Sequence, residues 1–403
     1  MKPSHIDWCP MIPDHWEEKR IKDIAFLQSG NSITAMDFVE DGKFPVYGGN
    51  GLRGYTNTYT NEGDYVLIGR QGALCGNINY AHGKFYASEH AVVVYPKKEE
   101  ITLWLGETLR TANLNRLSMT AAQPGLAVST LNLQFIPFPP KDERIRIAKY
   151  LDKKLSEIDH QVSLLTSKRD AYLRLMKSII NHAVTHGLNP NVKMKDSGIE
   201  WIGEVPEHWE VKRMKDICAL SPNIKSCSEY EYGSYLPMEG LRLDQIETSD
   251  ELVSTLQGKY TPFEDNDLLV AKVTPCFENG NIAIAKGLTN GVGFGSSEIF
   301  VLRANKYNNI RFLFYMSLSS KFQDKACATM CGVGGLKRIS PLFMKTYIMA
   351  IPPSTEQRAI ATYLDDKCAK IDTIVSNLDK QISRYADLKR SLIDEVITGK
   401  RAV

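Results

Sequence analysis

One stretch of this chain is written twice. "DWCPMIPDHWEEKRIKDI" at 7–24 matches "EWIGEVPEHWEVKRMKDI" at 200–217. Trp8, Pro13, His15, Trp16, Arg20, Lys22 and Asp23 recur at Trp201, Pro206, His208, Trp209, Arg213, Lys215 and Asp216, each 193 residues on. A second match closes each copy. "PPKDERIRIAKYLDKKLSEID" at 139–159 parallels "PPSTEQRAIATYLDDKCAKID" at 352–372, now 213 apart. Between them, "ASEH" at 87–90 faces "SSEI" at 296–299, and Gly125-Leu126 faces Gly335-Leu336. Separations that grow along the chain mean one ancestral unit, duplicated, with insertions in the second copy. The fold must therefore build one architecture twice.

Each copy has two parts. The first carries short apolar runs broken by turn residues: "DYVLIGR", "HAVVVYP", "DLLVAKV" and "EIFVLRA". These predict strands. "EITLWLGETLRTANLN" and "NIRFLFYMSLSSKFQ" predict helices among them. The second part begins after Pro-Pro, which cannot sit inside a helix. Apolar positions then step by three and four. One stripe is Ala148, Leu151, Leu155, Ile158, Val162, Leu165, Tyr172, Met176, Ile179 and Ala183. The other is Ala361, Leu364, Cys368, Ile371, Val375, Leu378, Ile382, Tyr385, Leu392 and Val396. Only Arg169 and Lys389 interrupt them. A seven-residue repeat held this long predicts a coiled-coil seam. Residues 148–183 span about 54 Å as a helix, too long to lie under one small lobe. The expected fold class is α+β: two duplicated mixed α/β domains joined by two long antiparallel coiled-coil helices with pseudo-two-fold symmetry. The expected boundaries are 1–143 and 187–356 for the domains, 144–186 and 357–403 for the helices.

"PVYGGNGLRGYTN" contains Gly49-x-Gly51-x-x-Gly54, the spelling of a dinucleotide-binding fingerprint. That fingerprint needs a helix after the glycines to hold the pyrophosphate. Here "YTNTYTNEGDY" follows, without helical periodicity. The glycines instead predict a tight surface loop that presents Arg53, Tyr55 and Asn57. Arg can bond guanine O6 and N7, and Asn the adenine edge.

Enzyme signatures do not emerge. There is no Walker loop, no H-E-x-x-H and no nucleophile elbow. "FPFPP" and "AIPP" place apolar residues where an amino-methyltransferase motif needs an amide or carboxylate. "EDND" at 264–267 predicts a solvated acidic turn. The eight cysteines are scattered and none forms CxxC, so no metal site is expected. No stretch reaches the length of a membrane span and the start lacks a signal-peptide core, which predicts a cytoplasmic location. Net charge is only +2, so any DNA contact must come from local clusters.

The chain resembles the specificity subunits of type I restriction–modification systems over essentially its whole length. The resemblance is carried by "IPDHWEEKRIKDIA", "YGGNGLRGYTN", "GRQGALCGNINY", "QPGLAVSTLNLQFIPFPPKDERIRIAKYLD", "VTPCFENGN" and "EQRAIATYLDDKCAKID", and by their duplicated order. One departure is Asp142-Glu143-Arg144, where the second copy reads Glu356-Gln357-Arg358. The resemblance implies a non-catalytic, sequence-specific DNA-binding subunit. It implies that each target-recognition domain reads one half of an asymmetric bipartite site in double-stranded DNA. The helices then set the spacing and dock two methyltransferase and two motor-nuclease subunits. S-adenosylmethionine, ATP and Mg belong to those partners, with no cofactor in this chain. Polar residues on or beside turns are the expected DNA contacts. They are Arg53, Tyr55, Asn57, Arg70, Gln71 and Lys84 in the first domain, and Lys225, Arg242, Lys272, Thr274, Lys337 and Arg338 in the second. Leu151, Leu155, Ile158, Val162, Leu165 and Tyr172, with Leu364, Ile371, Val375, Leu378, Ile382 and Tyr385, are expected to serve the coil and partner docking. The competing expectation is a coiled-coil scaffold that binds proteins rather than DNA.

Overall fold

A computed structural model describes residues 1–72, 74–98, 101–118, 125–224, 229–332 and 335–403. The chain divides into two units. The first holds Met1–Thr166 and Lys380–Val403, the second Ser167–Asp379.

In the first unit, one antiparallel sheet has the spatial order Ala25–Ser29, Ala91–Pro96, Tyr65–Gly69, Ile78–Ala81. Its central strand is the "AVVVYP" run. Val92 and Val94 face the main core with Val66 and Ile68, while Val93 faces a second small core with Leu67 and Phe85. Burial on both faces explains why the run is apolar throughout rather than alternating. A second sheet runs Gly51–Thr56, Phe44–Gly48, Lys84–Ala87, Asn61–Glu62, with its middle pair parallel. Helix Thr102–Thr111 packs Trp104, Leu105 and Leu109 into the main core.

The second unit repeats both sheets. One runs Cys218–Leu220, Ile299–Ala304, Leu268–Ala271, Ile282–Ile284. The other runs Ser249–Leu252, Tyr232–Leu236, Val292–Gly295, Thr261–Glu264, again with a parallel middle pair. Helix Ile310–Leu318 takes the place of Thr102–Thr111. Backbone bonds give the exact-residue correspondence that weak sequence matches blur. Ala91 N bonds Ser88 O in the first unit and Ile299 N bonds Ser296 O in the second, so Ser88 corresponds to Ser296 rather than Ser297. Leu126 N bonds Arg70 O, and Ile339 N bonds Lys272 O. Leu126 therefore corresponds to Ile339, not Leu336.

The acidic turn differs from its sequence reading. Asp267 is buried, accepts two bonds from Arg303 at 2.7 Å each and caps the Glu264 amide at 2.8 Å. A carboxylate this deep needs such a partner.

Two long helices, Lys141–His186 and Ser354–Ile397, pack together. In the first unit Leu151, Leu155 and Ile158 share a core with Leu392, Ile393, Val396 and Ile397, so the helices run antiparallel. In the second unit Ile180, Ala183 and Val184 share one with Ile360 and Leu364 in the same sense. Complete burial of a leucine such as Leu151 stabilises by about 1.5–3 kcal/mol. The two interruptions of the stripe have partners on the facing helix. Lys389 Nζ bonds Asp159 at 2.7 Å in the first unit, and Arg169 Nη1 lies 3.4 Å from Asp379 in the second. Exposed pairs of this kind contribute at most about 1 kcal/mol each and serve register more than stability.

The duplicated His-Trp motif fastens the helix ends. Trp16 is buried against Gly399, just beyond the second long helix, while His15 Nε2 lies 2.9 Å from Glu143 at the start of the first. In the second unit Trp209 meets Gly187, just beyond the first long helix, and His208 Nε2 lies 2.7 Å from Glu356 at the start of the second. Each motif thus grips the end of one helix and the beginning of the other. The Pro-Pro match pairs Arg144 with Gln357. Arg144 Nη1 donates to Pro139 O at 2.6 Å, and Gln357 Nε2 to Pro352 O at 2.9 Å. The departure noted from sequence is a Gln-to-Arg exchange at a buried site with one shared task.

Candidate nucleic-acid interface

The glycine-rich segment is a hairpin, Phe44–Gly48 paired with Gly51–Thr56. No helix follows it. A Cβ at Gly49 would stand 3.0 Å from the Gln71 carbonyl oxygen and 3.3 Å from that of His90, and one at Gly69 would stand 2.0 Å from the Gly49 carbonyl oxygen. The glycines let the hairpin tip lie flat on the end of strand Tyr65–Gly69, where side chains would collide.

Arg53 stands on the outer strand of this hairpin, exposed, with its stem over Gly48 and its guanidinium 5.7 Å from the Phe38 ring. Tyr55 follows on the same strand, 42% exposed, and Asn57 sits in the turn beyond. Lys84 lies two strands away, over the Tyr59 ring at 4.7 Å and 3.8 Å from Glu62. Arg70 and Gln71 belong to the other sheet, at the end of strand Tyr65–Gly69. Arg70 N donates to His90 O at 2.8 Å, and Gln71 bridges Gly125. At the hairpin tip Asn50 accepts a 2.9 Å bond from Asn77. Asn50 and Asn77 were not singled out from sequence. Their only signal was their place beside glycines, since 27 residues separate the two amides.

The second unit gathers more. Lys272 directly follows strand Leu268–Ala271 and is the counterpart of Arg70. Its amide donates to Glu298 O at 2.8 Å and its Nζ to Ser297 O at 2.6 Å. Burial lowers its pKa below the ordinary lysine value, opposed by the nearby Glu298. Thr274 is buried, with Oγ1 donating to Gly335 O at 2.9 Å and accepting from Lys337 N at 3.0 Å. Arg338 bridges both Val273 and Cys331 through its backbone and bonds Glu298 through its side chain. The Arg338 hydrogen bonds hold the Glu298 carboxyl below its ordinary pKa. Lys272, Thr274, Lys337 and Arg338 therefore form one cluster. Arg242 stands apart on the hairpin Leu241–Arg242 with Gln245–Ile246, 4.0 Å from Glu247. Lys225 lies outside the described residues. Glu298 was missed because acidic residues are not sought as DNA contacts.

The coil positions divide. Leu151, Leu155, Ile158, Leu364, Ile371 and Leu378 are buried. Val162, Leu165, Tyr172, Val375, Ile382 and Tyr385 are half-buried. Leu151, Leu155 and Ile158 lie in the first unit's core with Val162 and Tyr385 packed against it, and Leu364 lies in the second unit's core. The apolar side chains left exposed on the helices are Leu164, Leu175, Leu388 and Tyr363. Among the described residues no group of three His, Cys, Asp or Glu converges as a metal site, and no helix is long and apolar enough to cross a membrane.

Two repeated mixed α/β lobes, each with polar side chains on strand ends and each packed on two long helices, define a duplicated two-domain protein. The chain belongs to the type I restriction modification DNA specificity domain family, whose pattern it matches over residues 13–164 and again over 206–384. It is 40% identical over 141 residues to the EcoprrI specificity subunit of Escherichia coli, covering 34% of this chain and 35% of that protein. It is 22% identical to the MjaVIII specificity subunit of Methanocaldococcus jannaschii over 96% of this chain and 93% of that one. The matched region thus spans about a third of the EcoprrI subunit and nearly all of the MjaVIII subunit. A solved chain described as "Structural basis underlying complex assembly and conformational transition of the type I R-M system" shares the fold. It has a TM-score of 0.69 at 14% identity, covering 97% of this chain and 100% of that one.

Proposed function

We propose that the two lobes, residues 1–143 and 187–356, each read one half of an asymmetric bipartite site in double-stranded DNA. The helical segments 144–186 and 357–403 fix the distance between the halves. One observation carries this reading. The two units share both sheets strand for strand, yet their corresponding loop positions carry different side chains. Arg70 corresponds to Lys272, His90 to Glu298, and Gly125 to Arg338. A common frame with unlike reading groups suits two unlike half-sites.

The partners are two methyltransferase subunits that supply S-adenosylmethionine chemistry, and two motor-nuclease subunits that use ATP and Mg. Leu164, Leu175 and Leu388, exposed on the helices, are suited to contact them. With a net charge of +2 the chain has little phosphate affinity of its own, so the partners clamp the duplex.

The test is a methylation map of DNA treated with the complex of this chain and its methyltransferase partners. The expected result is one motif with two specified halves and an unspecified spacer. Arg53→Ala relaxes one position of one half. A continuous motif, or a pattern independent of this chain, refutes the reading.

A further inference from the structure

Arg338 is held by one edge only. Its Nε lies 3.1 and 3.0 Å from the two Glu298 oxygens, and its Nη2 lies 2.9 Å from Oε1. A guanidinium has five N–H donors in a rigid plane. Glu298 takes the Nε–Nη2 edge, which leaves the terminal edge, with one hydrogen on Nη1 and one on Nη2, and a lone Nη1 hydrogen on the Cδ side. Among the described residues that edge meets no partner, and 49% of the side chain is exposed.

The mounting is firm. Arg338 N donates to Cys331 O at 2.9 Å and Cys331 N to Arg338 O at 3.1 Å. On one side Lys337 N is bonded to Thr274, on the other Ile339 N is bonded to Lys272 O. Glu298 is held too, its amide on Ser296 Oγ at 3.2 Å and its carbonyl on the Lys272 amide. An ion pair this exposed adds little to stability. Its effect is geometric: it fixes the torsions of a long side chain and aims the free edge outward.

We propose that Glu298 is a positioning residue that presents the free edge of Arg338 to the O6 and N7 acceptors of one guanine. This rests on the reading of the second lobe as a DNA reader. Two parallel donors on a rigid plane fit the two major-groove acceptors of guanine better than any other base edge. The first lobe lacks the device, with His90 in place of Glu298 and Gly125 in place of Arg338. The guanine read in this way belongs to the second lobe's half-site alone.

The test uses the full chain in complex with its methyltransferase partners and a pool of duplexes randomised over both half-sites. Arg338→Ala is expected to lose about 5–150-fold of discrimination at one guanine, the value of a bidentate contact. Glu298→Ala is expected to lose discrimination at the same guanine, without weaker binding to unspecific DNA, because a negative charge has gone. Glu298→Gln, which still accepts a hydrogen bond, is expected to recover part of the preference. If both variants weaken every duplex equally, Arg338 holds phosphate and the proposal fails. An unchanged motif in Arg338→Ala and Glu298→Ala also overturns it, while the lobe remains a reader. A methylation pattern that does not depend on this chain refutes the underlying reading instead.

Discussion

Gly399→Ala is the sharpest probe of how the His-Trp motif grips a helix end. Gly399 follows the second long helix with φ +71°, the left-handed conformation common just beyond helix ends. An alanine there carries a backbone cost of about 1–2 kcal/mol. Its Cβ would stand 2.5 Å from both Cδ and Cγ of Pro13, and 3.1 Å from Trp16 Cη2. A proline ring has no rotamer by which to retreat, and Trp16 is fully buried. Overpacking of that kind costs about 1–3 kcal/mol more. The expected loss is therefore about 2–5 kcal/mol. Gly187→Ala provides the internal comparison. Its φ is +76°, but its Cβ would meet Glu356 Oε1 at 2.9 Å and Trp209 Cζ2 at 3.3 Å. A carboxylate can swing aside, so the expected loss stays near the backbone cost of about 1–2 kcal/mol. A chain with two units need not melt in one step, so a single melting temperature is the wrong measure. Hydrogen exchange in rising urea, read on peptides around Pro13–Trp16 and Pro206–Trp209, resolves each unit. Equal losses in the two variants, or a Gly399→Ala loss that appears around Trp209, would refute the steric argument.

Two further outcomes follow from buried groups. Burial pushes the thiol of Cys218 up to about 12 and that of Cys9 up to about 11, while Cys331 is exposed. Iodoacetamide on the native chain at pH 8, mapped by mass spectrometry, is expected to label Cys331 well before either; equal rates would contradict their burial. The His186 imidazole is held below its ordinary value of 6.5, first by burial and then by His182 and Lys321. The unfolded chain then takes the proton more readily, so this penalty is absent above pH 6.5 and grows as pH falls through it. His186→Gln is expected to lose less stability than wild type between pH 7.5 and 5.5, by urea midpoints; parallel losses would remove His186 as a source of acid sensitivity.

Much of this molecule could be read from residue order alone. The duplication, the short buried strands and the two long amphipathic helices are local patterns, set by spacing and by where proline and glycine fall. The interruptions Arg169 and Lys389 were visible as breaks in a stripe, but their partners were not. Asp379 and Asp159 are reached only when two helices from distant parts of the chain lie side by side. The glycine fingerprint was rejected for lack of a helix, yet its task of laying a hairpin tip on Gln71 and Gly69 needed the sheets in place. Glu298 and Arg338 are 40 residues apart, and neither announces the other. Periodicity is a property of neighbours along a helix or strand, so sequence determined the repeated frame. The pairing of particular side chains depends on which loops the two sheets bring together, so only the tertiary structure decided which charges are buried, which are neutralised and which edge of Arg338 Glu298 takes.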